Sequence, residues 1–71
     1  MKLHHYPGTD SLYIELSAQP STDSREISEG LVVDFDARGR VVGLDIQHAS
    51  ENLDLQTLEA ESLPAIKTRI A

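Results

Sequence analysis

The chain has no cysteine and no tryptophan, and only one phenylalanine, two tyrosines, one methionine and three prolines. Without cysteine, neither a disulfide nor a thiolate-bound zinc can staple the fold. The same lack fits a reducing compartment, so a cytoplasmic location is expected. The scarcity of aromatics removes the largest side chains from any core. A single small domain of 71 residues is expected, and at that size one core rarely contributes more than about 3–5 kcal/mol of net stability. Association is the common remedy, and a homodimer is the expectation. Long apolar runs are missing as well. Nothing approaches the roughly 18 consecutive residues of a membrane span, and no apolar stretch follows Met1-Lys2-Leu3-His4-His5 as it would in a signal peptide. Basic residues are few: six Lys and Arg stand against twelve Asp and Glu, for a formal net charge of −6. That balance opposes binding to a phosphate backbone, where affinity comes from cations displacing counterions. It favours a basic protein partner, with neither nucleic acid nor membrane expected.

What is present is alternation. From Gly30 to Ser50 the chain reads G-L-V-V-D-F-D-A-R-G-R-V-V-G-L-D-I-Q-H-A-S. Leu31, Val33 and Phe35 share one face of a strand, while Val32, Asp34 and Asp36 share the other. On the return, Val42, Leu44 and Ile46 alternate with Val41, Gly43 and Asp45. Between them Asp36-Ala37-Arg38-Gly39 forms a hairpin connection in which Gly39 supplies a positive φ. Two registers compete. A three-residue loop pairs Asp36 with Arg40 and sets Leu31, Val33 and Phe35 opposite Val41, Gly43 and Asp45. A four-residue loop pairs Phe35 with Arg40, Val33 with Val42 and Leu31 with Leu44. Only the second gathers the apolar set on one side, and it is the register expected.

Upstream, Lys2 to Tyr6 reads as a short strand with Leu3 and His5 on one side and His4 and Tyr6 on the other. Pro7-Gly8-Thr9-Asp10 is a turn. Ser11 to Leu16 follows as a strand with Leu12, Ile14 and Leu16 inward, and Ser17 to Asp23 reads as a loop. Ser24 to Ser28 is a weaker strand, with Arg25 and Ile27 on one side. Downstream, Ser50 is placed as an N-cap with Glu51 in the first turn, which predicts a short helix over Ser50 to Leu53. Gln56 to Leu63 fits helix and strand equally. The expected fold class is therefore α+β, a small antiparallel β-meander of four to five strands with a short C-terminal helix and tail. The folded part covers residues 2–55 and the tail 56–71, where Leu63, Ile66 and Ile70 have no local core to cover.

Tyr6 followed by Leu12-Tyr13-Ile14-x-Leu16, then Ser24-Arg25-Glu26-Ile27, then the Gly30 to Ser50 stretch resembles a small prokaryotic family, domain-of-unknown-function 2283. The resemblance spans Tyr6 to Leu53. The first turn departs from the family's commoner form in having Pro7 where an Asp is usual. The resemblance implies a small bacterial antiparallel β domain with no established catalytic residues. It also implies genes sometimes lying beside putative toxins, and so an antitoxin-like role.

The motifs that carry chemistry are weak. Asp34-x-Asp36-x-Arg38-Gly39-x-Val41-x-x-x-Asp45 fits the frame of an EF-hand calcium loop. Against it, Arg38 occupies a ligand position, Asp45 replaces the bidentate Glu, and strands rather than helices flank the loop. His4 or His5 with His48 and an Asp, Asp10 among them, could ligate a metal, and a metal-binding protein or minor metal-dependent enzyme is the alternative reading. Adjacent histidines on a strand point to opposite sides, so His4 and His5 do not share an ion. Asp34, Asp36 and Asp45 with Glu15 make an acidic face, which a neighbouring Arg25, Arg38 and Arg40 can neutralise. No catalytic residue and no cofactor is expected. The expected function is a non-enzymatic interaction module whose candidate partner surface is Asp34, Asp36, Asp45, Glu59 and Glu61.

Overall fold

The computed structural model describes residues 1–61. Strands β1 (Lys2–Tyr6), β2 (Ser11–Glu15), β3 (Asp23–Ser28), β4 (Leu31–Phe35) and β5 (Val41–Ile46) precede the short helix α1 (Ala49–Asn52). The strands form one five-stranded sheet in the order β1-β2-β5-β4-β3, and every neighbouring pair is antiparallel. The α+β class with a short helix is thus as read from the sequence. The meander is β3-β4-β5, and the β1-β2 hairpin joins it by laying β2 along the far side of β5. Because β2 and β3 are not neighbours, their connection must cross the end of the sheet. It does so beside the β4–β5 loop, where Thr22 N–H donates to Phe35 O at 2.8 Å.

Register sorts the side chains cleanly. Leu12 and Ile14 of β2 lie opposite Ile46 and Leu44 of β5, which in turn face Leu31 and Val33 of β4. This is the apolar face, joined at the β1 edge by Leu3 and His5 and at the β3 edge by Arg25. The other face carries Tyr13, Glu15, Gly43, Asp45, Val32 and Asp34, with Lys2 and His4 at one edge and Ser24 and Glu26 at the other. Among the described residues the sheet is a single layer. Of the described apolar residues, Val33, Val42 and Ala49 are buried, while Leu12, Ile14, Leu31, Leu44 and Ile46 stop at half-buried.

The β4–β5 register corrects the sequence reading. The loop is the three-residue one: Asp36 N–H donates to Arg40 O at 2.9 Å and Gly39 N–H to Asp36 O at 3.0 Å. Phe35 accordingly lies opposite Val41, but beyond it the register shifts and Val33 meets Leu44 and Leu31 meets Ile46. Val42 is the extra residue of a β-bulge. The expected pairs Phe35–Arg40, Val33–Val42 and Leu31–Leu44 do not form. The two requirements that seemed to conflict, a tight loop and a single apolar face, are both met by spending one residue. The bulge is held by its own carbonyl, since Val42 O accepts from Leu16 N at 2.9 Å and Ser17 N at 3.3 Å.

Smaller differences have equally local causes. β2 ends at Glu15 and β3 begins at Asp23. A second irregularity between Glu26 and Ser28 turns Ile27 out to 59% exposure. The helix is Ala49–Asn52, and its N-cap is His48 in the left-handed conformation rather than Ser50. Residues 57–61 are neither helix nor strand. The expectations for Leu63, Ile66 and Ile70 fall outside the described residues.

Candidate functional site

Polar chemistry collects in three places, each set by the sheet's geometry. The first is a belt across the polar face. Gly43 lies opposite Asp34 on β4 and Glu15 on β2, and its missing side chain leaves an open track across β5. Tyr13 fills that track from β2 and donates its hydroxyl to Asp34 Oδ2 at 2.7 Å. From the other side Ser24 of β3 donates to Asp34 Oδ1 at 2.6 Å. Tyr13, Gly43, Asp34 and Ser24 thereby tie four neighbouring strands together. A β-carbon at position 43 would fall on the Tyr13 hydroxyl and 2.7 Å from its Cζ. The bond to Asp34, then burial, then the charges of Asp34, Glu15 and Asp45 push the Tyr13 phenol up to about 12. At neutral pH it is a hydrogen-bond donor and not a base. Asp45, between Tyr13 and Val32, keeps one oxygen, Oδ1, out of solvent with no hydrogen-bond partner among the described residues.

The second place is the β4–β5 loop. Asp36 is 8% exposed and its carboxylate is spent on the loop itself. Oδ1 accepts from the backbone N–H of Arg38 and of Arg40, both at 2.9 Å, and Oδ2 from Arg40 Nε at 3.1 Å. The Arg40 backbone bond, followed by those of Arg38 and of the Arg40 side chain, holds Asp36 below the usual carboxylate range against the opposing effect of burial. The calcium frame dissolves here. Asp34 points into the polar belt, Asp36 into the loop, and Asp45 sits mid-sheet.

The third place is the junction of the β1–β2 turn with α1. Asp10 Oδ1 lies 3.0 Å from His5 Nε2, while its two oxygens accept from Ser50 N–H at 3.1 and 3.2 Å. Ser50 Oγ donates to Oδ2 at 2.6 Å, and Ala49 N–H donates to Asp10 O at 2.8 Å. Asp10 is therefore the cap that α1 lacks in its own sequence, delivered from 40 positions away. The Ser50 hydroxyl bond first, and His5 next, lower its pKa. The junction holds a serine, a histidine and an aspartate, but the aspartate stands between the other two. A nucleophilic serine needs the imidazole in that middle place, so the cluster is a brace. Asp10 and His48 both hold positive φ, 53° and 51°, a conformation that Asp and His tolerate better than most residues.

Of the residues expected to form a partner surface, Asp34 and Asp45 share the polar face, Asp36 is buried in its loop, and Glu59 and Glu61 are exposed on the segment after α1. His4 and His5 point to opposite faces. No group of three or more His, Cys, Asp or Glu with metal-holding geometry occurs among the described residues. The sequence reading missed the Tyr13–Asp34–Ser24 belt, whose signal was Gly43 in a strand. It also missed a shallow hollow at the α1 end of the sheet, lined by Glu26, Glu29, Gln47, His48, Glu51 and Asn52 among others.

Comparison with known proteins adds one match. A family model described as "Protein of unknown function (DUF2283)" matches residues 2–50, which takes in all five strands and the first residues of α1. No curated protein matches the chain, and neither does any solved structure.

Proposed function

The chain belongs to the DUF2283 family, whose description assigns no activity, and from that premise we propose that it is a small non-enzymatic interaction module that binds a basic protein. One observation carries the reading: the carboxylates are segregated. Glu15 and Asp34, on either side of Gly43, and Asp45 and Glu26, on either side of Val32, lie in two adjacent rows across β2, β5, β4 and β3 on a single open face. Of the described basic residues only Lys2 shares that face, at its edge. Arg25 is on the opposite side, and Arg38 and Arg40 belong to the loop at one end. Carboxylates that outnumber the single Lys2, which lies opposite Glu15, give that surface a net negative potential and steer a cationic partner toward it. Glu59 and Glu61, exposed beyond α1, extend the same sign of charge.

An antitoxin-like role, with a basic toxin as the partner, is the specific form of this reading, and the family resemblance is what suggests it. A cytoplasmic location goes with it. Among the described residues no helix is long and apolar enough to cross a membrane.

The test is kinetic. A partner recovered by pull-down from the native organism should associate more slowly with Glu15→Lys, and more slowly with the Glu59→Lys/Glu61→Lys pair. The expected loss is about tenfold in association rate at low salt, shrinking as ionic strength shortens the Debye length from about 10 Å at 0.1 M. Dissociation should change little, because exposed charges act on encounter more than on lifetime. Association that is indifferent to both the substitutions and the salt would rule out the acidic face as the binding surface.

A further inference from the structure

The opposite face of the sheet poses a separate question, independent of the basic-partner reading. Leu12, Ile14, Leu44, Ile46 and Leu31 form a continuous patch over the three central strands. Each has cross-strand neighbours on its flanks, yet each remains half-buried. Flanking neighbours shield such side chains laterally, so what stays exposed is the outward side. Among the described residues, charged groups appear on this face only at the margins, and they are occupied. Arg25 sits over the Phe35 ring, 4.8 Å from its centroid, and 3.4 Å from Asp23. At the β1 edge His5 is held by Asp10 at 3.0 Å. An apolar centre with a paired polar rim is the anatomy of a protein–protein interface.

We infer that this face is covered by a second copy of the chain, packed sheet on sheet about a two-fold axis. Two observations choose that occupant. The first is charge. A chain of net charge −6 should repel its own copy, but Glu15, Asp34, Asp45 and Glu26 all lie on the far side of the sheet. Apolar faces brought together therefore point both acidic faces outward, at the greatest separation the pair allows. The second is area. Strands spaced about 4.8 Å apart, with residues rising about 3.3 Å each, give a five-stranded face roughly 24 by 18 Å. Two such faces enclose roughly 860 Å² in flat projection, so side-chain relief and the flanking turns must supply the rest of the ~1,200 Å² at the lower bound of stable interfaces. A two-fold interface is self-complementary, so the same patch serves on both sides. Aligned sheets would sit about 10 Å apart, as in a β-sandwich.

The 71-residue chain at micromolar concentration should sediment at twice its 7.8 kDa mass. In a mixture of isotope-labelled and unlabelled chains, methyl groups of Leu12, Ile14, Leu44 and Ile46 should give intermolecular nuclear Overhauser effects. Methyls of Val32, on the polar face, should give none. Ile14→Lys should raise the dimer dissociation constant at least tenfold, while Glu15→Lys, its neighbour on the other face, should leave it unchanged. The labelled mixture needs no substitution, so it decides even if Ile14→Lys fails to fold. A monomeric mass at micromolar concentration overturns the inference. So does a dimer whose intermolecular contacts fall on the polar face or the edge strands. So does a monomer that becomes a dimer when residues 62–71 are removed, which would make the chain's own tail the occupant.

Discussion

At position 43 the protein needs the absence of a side chain. The Tyr13 ring passes over Gly43 to reach Asp34, and any β-carbon there takes the place of the phenol. Gly43→Ala should push Tyr13 out of its track and leave Asp34 short of a donor. The expected cost is about 1–3 kcal/mol in the denaturant midpoint, from overpacking and the lost bond together. An unchanged midpoint would mean that Tyr13 does not cross β5. Asp10 and Asp36 act at the same scale through their charges. Both have folded pKa values below the ordinary 3.8. A carboxylate depressed in the folded state contributes stability above its unfolded pKa and loses it as pH falls through the folded value. Asp10→Asn and Asp36→Asn should therefore weaken the domain at neutral pH. The gap from the native chain should close as acid protonates both carboxylates, at pH values below the ordinary 3.8. A gap that is constant from neutral pH through that range would show that charge is not what these two residues supply.

At the scale of elements, the β4–β5 hairpin shows best what a sequence does and does not reveal. Gly39 holds φ +78°, and a β-carbon there would meet nothing within 4 Å. Gly39→Val should thus cost backbone strain alone, about 1–2 kcal/mol. A smaller shift in thermal or chemical stability would imply that the loop relaxes to another turn. The strands themselves were legible because alternation reports which face a residue takes. β1 matches its expected bounds, and β2, β3 and β5 differ by no more than an end residue or so. The bulge at Val42 was not legible. Alternation in β4 and in β5 is unbroken on each side, and an inserted residue shows only in how the two strands are paired. Two β-branched residues at Val41 and Val42 look like ordinary strand. For the same reason the cap of α1 was misplaced. Ser50 has the right chemistry for an N-cap, but the carboxylate that binds its N–H comes from a turn that only the folded sheet brings near. The acidic face was legible as composition and strand alternation. That Asp36 is not part of it follows from a three-residue loop curling its N–H groups around the carboxylate.

For the molecule as a whole, the sheet order sets a condition on how the domain can come into being. Among the described residues β5 is the last strand in sequence and the middle one in the sheet. β1 with β2, and β3 with β4, are neighbours in sequence and can pair as soon as they exist. Neither hairpin pairs with the other in the sheet except through β5, which also carries the Gly43 track that lets Tyr13 reach Asp34, and an isolated two-stranded hairpin is at best marginally stable in water. A chain ending at Arg40 keeps both hairpins and should show no cooperative melting and no protected amides. Cooperative unfolding of that fragment would mean the hairpins can pair by another route. On a ribosome adding residues one at a time, both hairpins wait, with their apolar sides bare, for the strand that joins them. The hazard of misassociation is thus concentrated in the short interval before Ile46 emerges, and it ends when that one strand slots between them.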